Sequence, residues 1–138
     1  MDNALNKLMR VFDIGISHGV VLTGSAEELL AFREKLIGKL NEESVKVIPL
    51  DLSGSWLSDV TCIEEPDTKD MVLVWGLEYL SPQENRTYSL RTTLDRMKHG
   101  GPQFAIFCEN ACYSAHFNDY SAPFYHFCLR MPVGCSRG

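Results

Sequence analysis

Five consecutive apolar residues, Met71-Val72-Leu73-Val74-Trp75, set the tightest limit on how this chain folds. Successive side chains of a strand point to opposite faces, so a strand with one wet face alternates apolar and polar residues. A run without a polar position is covered on both faces and belongs inside a sheet flanked by helices. Gln103-Phe104-Ala105-Ile106-Phe107-Cys108 is a second such run after its first residue. His18-Gly19-Val20-Val21-Leu22-Thr23-Gly24 and Val45-Lys46-Val47-Ile48-Pro49-Leu50 are shorter β-branched runs, and Phe124 to Leu129 reads as a last strand.

Two segments at helical spacing lie between these strands. Ser25-Ala26-Glu27-Glu28 is a capping box, in which the serine oxygen takes the Glu28 amide while the Glu28 carboxylate reaches back. Leu29, Phe32, Leu36, Ile37 and Leu40 then form one apolar face, which predicts a helix from 26 to 41. Ser81-Pro82-Gln83-Glu84 is a second box, with proline at the first helical position, where its missing N–H costs nothing. Leu90, Leu94 and Met97 make its buried stripe, and Gly100-Gly101-Pro102 stops it.

Strands alternating with capped helices imply right-handed crossovers and a parallel sheet. The expected fold is therefore α/β and three-layered, a mostly parallel central sheet of about five strands with helices on both faces. A length of 138 residues suits one domain, 1–138. Within it, 1–18 reads as a weakly specified lead-in, 111–121 as a short helical or irregular piece, and 133–138 as a short polar tail.

Charge and cysteine usage narrow the function classes. A net charge of −5 argues against a direct nucleic-acid contact, which needs a basic face, and favours a basic partner. Arg86, Arg91, Arg96 and Lys98 do not reverse this, because they spiral round their helix and make a solvated surface. The start, Met1-Asp2-Asn3-Ala4, lacks the form of a signal peptide, and no run reaches the length of a membrane helix. Five cysteines make no paired framework, so reduced thiols and a cytoplasmic location are expected.

The order of elements resembles the core of a P-loop NTPase of the AAA-plus or signal-transduction ATPase type. Val20-Val21-Leu22-Thr23-Gly24 is similar to the strand and first glycine of a Walker A segment. Met71 to Leu80 is similar to a Walker B strand with its trailing Gly-Leu-acid, and Ala105-Ile106-Phe107-Cys108-Glu109-Asn110 to a sensor-1 strand tipped by Asn110. The residues that would carry the chemistry differ. Counting from Gly24, Leu29, Leu30 and Ala31 stand where a phosphate loop has glycine, lysine and a hydroxyl residue. Trp75 stands at the magnesium-binding aspartate, and Glu78 near a catalytic acid. The resemblance implies a degenerate scaffold without nucleotide; an unrelated three-layer fold with the same element order is the alternative.

Cys108, Cys112 and His116 are spaced four residues apart, with His126 and Cys128 further on. Thiolate and imidazole are zinc ligands, but this spacing is not that of a zinc site, so no metal and no other cofactor is expected. Cys112 and His116 also have the spacing of a thiol and its base, one helical turn apart, without an identifiable orienting residue. The most function-like stretch is acidic: Asp59, Glu64, Glu65, Asp67 and Asp70 beside Trp56, a surface for steering and anchoring a basic partner. The leading expectation is a non-catalytic interaction module of inhibitor, immunity or adaptor type, and not an enzyme. A P-loop-like regulatory domain of a larger assembly, or a Cys/His hydrolase, is the alternative.

Overall fold

The computed structural model describes residues 2–15, 18–54, 70–81, 84–98, 102–117 and 129–133. Five strands, β1 (Gly19–Gly24), β2 (Val47–Asp51), β3 (Met71–Trp75), β4 (Gln103–Glu109) and β5 (Leu129–Pro132), form one sheet in the order β2-β3-β4-β1-β5. Every neighbouring pair is parallel, so all carboxyl ends lie along one edge. Among the described residues four helices cover the sheet: α1 (Asp2–Ile14), α2 (Ala26–Glu42), α3 (Asn85–Lys98) and α4 (Asn110–His116), with a 3-10 turn at Leu77–Tyr79. The three-layer architecture is the one read from the strands. None of the helices among the described residues is long and apolar enough to cross a membrane.

Alternation along the inner strands divides the core in two. Val20, Leu22, Met71, Leu73, Ala105 and Phe107 face one layer, where they pack with Leu8 and Phe12 of α1 and Leu29, Phe32, Leu36 and Leu40 of α2. Val21, Val72, Val74, Phe104, Ile106 and Cys108 face the other, against Leu90, Leu94 and Met97 of α3 and Cys112 of α4. Each buried leucine or phenylalanine contributes about 2 kcal/mol of transfer free energy, so both faces must be covered for the fold to hold. The two edge strands each carry a proline, Pro49 in β2 and Pro132 in β5, and the three inner strands carry none. Proline has no N–H for a ladder, so only an edge tolerates it.

Three sequence boundaries move. The lead-in is a 13-residue helix, α1, with Leu8, Val11 and Phe12 buried. Its end is tied down where the Gln103 amide donates to the Phe12 carbonyl at 2.9 Å. Helix α3 begins at Asn85, after the expected start at Pro82. Glu84 still accepts the Ser81 backbone N–H at 2.9 Å, and Thr87 Oγ1 donates to the Ser81 carbonyl at 2.6 Å, so the turn is held without belonging to the helix. The last strand runs from Leu129 to Pro132 instead of ending at Leu129, and residues 124–128 lie outside the described residues.

Candidate functional site

In parallel α/β sheets, ligands dock at the carboxyl ends of the strands, where the loops leave. Here β1, β2, β3 and β4 end in Gly24, Asp51, Trp75 and Glu109. A cleft of about 370 Å³ opens there, lined by Leu29, Leu30 and Arg33 of α2 and by Asp51, Trp75, Glu78 and Glu109. Three carboxylates and one guanidinium give it a negative balance.

The β1–α2 turn shows why this cleft does not offer a phosphate cradle. Helix α2 starts at Ala26, directly behind its Ser25 cap. Ser25 Oγ accepts the Glu28 N–H at 3.2 Å, Glu28 Oε1 accepts the Ser25 N–H at 2.9 Å, and the Ser25 carbonyl takes the Leu29 N–H at 2.9 Å. Three of the amides that a phosphate loop would turn toward an anion, those of Ser25, Glu28 and Leu29, are thus bonded within the turn. Leu29 is buried beneath it, while Leu30, at the lysine position, is half exposed.

Trp75, at the aspartate position, carries Arg33 over its ring at 4.1 Å from the centroid. The pair is a cation–π contact, and the indole presents the rest of its surface to the cleft. Asp51 is held below the ordinary carboxylate range, first by the Ser53 hydroxyl at 2.6 Å, then by the Ser53 N–H at 3.0 Å, with smaller help from Trp75 and Arg33. Gly76 turns the chain here at φ +91°, and a Cβ would press to 3.2 Å from the Leu52 N. Both facts require glycine, which lets Trp75 and Glu78 flank one cleft.

A second open cleft, of about 360 Å³, shares Glu78 and Glu109 with the first and is lined by Cys112 and His116. Tyr113 of α4 stacks on Phe117 at 5.1 Å and lies under Arg130 at 4.3 Å, which fixes the helix against β5. The buried His116 ring meets the Leu80 carbonyl through Nε2 at 3.1 Å. A carbonyl only accepts, so Nε2 carries a proton and donates it to Leu80. Leu80 is thus the orienting group that the sequence did not reveal. The Cys112 thiol is lowered to about 6, chiefly by a hydrogen bond from Cys108 and to a smaller extent by His116, while burial and the Glu78 charge oppose.

The structure brings Cys108, Cys112 and His116 together, yet among the described residues no three His, Cys, Asp or Glu side chains converge as a metal site. Of the acidic recognition set, Trp56, Asp59, Glu64, Glu65 and Asp67 lie outside the described residues. Asp70 is half-buried at the amino end of β3, on the edge opposite the cleft. Asp51, Glu109 and the Arg33–Trp75 pair were not singled out from the sequence; the signal was their position at strand ends. No family model matches the chain, and neither a curated protein nor a solved structure does.

Proposed function

We propose that this chain is a non-catalytic protein-interaction module whose carboxyl-edge cleft receives an arginine- or lysine-bearing segment of a partner protein. One observation carries the reading: where a nucleotide-binding scaffold would hold phosphate, this cleft is lined by Asp51, Glu78 and Glu109 and a tryptophan already stacked under a guanidinium. Carboxylates repel a polyphosphate and attract a cation, and a tryptophan face adds cation–π contact. The same observation supports reading the scaffold as a degenerate P-loop-like core that has exchanged anion binding for cation binding. A cytoplasmic setting suits the reduced thiols of Cys108 and Cys112.

Calorimetry with an arginine-rich peptide and with ATP–magnesium tests this. The peptide should bind with an affinity that falls as salt rises, and Asp51→Asn with Glu109→Gln should remove that binding without changing the fold. Micromolar affinity for ATP–magnesium, or peptide binding indifferent to both substitutions, overturns the proposal.

A further inference from the structure

The geometry points to Cys112 as a hydroperoxide-reactive thiolate, with Cys108 as its resolving thiol and His116 as the base that positions the proton. Three independent features meet at this point. Cys108 and Cys112 lie in one buried cluster across the β4–α4 turn, with a hydrogen bond from the Cys108 thiol to the Cys112 sulfur. His116, one helical turn beyond Cys112, lines the same cleft and is oriented by the Leu80 carbonyl at 3.1 Å. The second cleft opens on Cys112 itself, so a small oxidant reaches a side chain that is otherwise covered. A cysteine buried among aliphatic groups is inert. This one has a thiol donor, an imidazole and a path to solvent, and its lowered pKa agrees with that setting.

The chemistry closes on these groups and one named oxidant. The Cys112 thiolate attacks the distal oxygen of a hydroperoxide, the O–O bond breaks, and the alkoxide leaves with a proton delivered through the site. Cys112 becomes a sulfenic acid and the peroxide is reduced to an alcohol, or to water if it is hydrogen peroxide. The Cys108 sulfur then attacks the sulfenic sulfur. Its thiol proton and the sulfenic hydroxyl leave as water, and a Cys108–Cys112 disulfide forms; an external dithiol reverses it. Closing this disulfide brings the two sulfurs to about 2.05 Å.

The test uses the full chain treated with hydrogen peroxide, then denatured with its remaining thiols blocked and mapped by peptide mass spectrometry. The expected product is an intramolecular Cys108–Cys112 disulfide that forms before Cys62, Cys128 or Cys135 is oxidised and disappears on dithiol treatment. In Cys108→Ser the reaction should stop at a Cys112 sulfenic acid captured by dimedone. In His116→Gln, whose amide can still donate to Leu80, oxidation at pH 7 should slow about tenfold as the thiolate fraction falls. Cys112 still reduced in the wild-type chain after other cysteines have reacted overturns the proposal. A sulfinic acid at Cys112 with Cys108 still a thiol overturns the resolving role, and these readouts on the wild-type chain hold whether or not a variant folds.

Discussion

Two strand-to-helix turns sit side by side at the same edge of the same sheet and do opposite things. β1 and β4 are neighbours, Gly24 pairs with Glu109, and each strand passes directly into a helix. At the first turn Ser25 and Glu28 cap each other, and Leu29 and Phe32 drive α2 into the core. At the second, α4 has no side-chain cap and buries Cys112 and His116 where the first buries aliphatic and aromatic groups. One turn is stabilised by packing and the other is equipped with reactive groups. The topology is common to both, so the side chains alone decide which turn can do chemistry.

This contrast can be broken experimentally, and the largest effect should come from the packed turn. Phe32→Ala should destabilise the chain by about 3–5 kcal/mol in urea denaturation, because the cavity lies at a fully buried helix–sheet contact. A cost below about 1 kcal/mol would mean that α2 is not the anchored partner.

Next comes pH. The Cys112 thiol titrates near 6 in the folded chain and near 8.5 unfolded, so the unfolded chain binds more protons between those values. Stability should therefore rise from pH 6 toward 8.5 and be lost as pH falls through 6. Its slope should stay under about 1.4 kcal/mol per pH unit, the limit for one proton; His116, Glu78 and Glu109 line the same cleft. Cys112→Ser should flatten the slope in denaturation midpoints across that range; an unchanged slope assigns it to another group.

Ser25→Ala should cost about 1 kcal/mol through loss of the cap while leaving the rate of Cys112 alkylation unchanged. A faster alkylation would show that the two turns are coupled. The smallest effect is expected from Leu30→Lys, which puts lysine back at the phosphate-loop position. Leu30 is half exposed, so stability should change by no more than about 0.5 kcal/mol. Calorimetry should still give no ATP binding, because the backbone amides of that turn stay committed to the cap.

The sheet was legible in the sequence because β3 is apolar at every position and β1 and β4 are apolar through their centres, and the Ser25 box because both of its partners are local. Helix α1 was not, although Leu5, Leu8, Met9 and Phe12 recur at helical spacing. Asn3, Asn6 and Lys7 between them, without a capping residue, read as an unstructured start, and only the sheet they cover reveals their face. The start of α3 was placed too early because Ser81 and Pro82 are good first-turn residues in any context. The cleft was illegible for a different reason. Asp51, Trp75 and Glu109 are far apart in sequence and converge only because parallel strands end together, whereas Cys112 and His116 are one turn apart and could be paired from spacing. What spacing could not supply was Leu80, a backbone carbonyl with no side-chain signature.

The placement of β1 has a consequence for synthesis. Among the described strands it is the first in sequence, yet it takes its hydrogen bonds from β4 and β5, the last two of them. Until Gln103 and then Leu129 emerge, this strand, with Val20, Val21 and Leu22 at its centre, has both of its edges unpaired, the kind of surface that other chains and chaperones engage. Folding of this chain should therefore be governed by one late, long-range pairing event, and it should be slow in comparison with a helical protein of equal length.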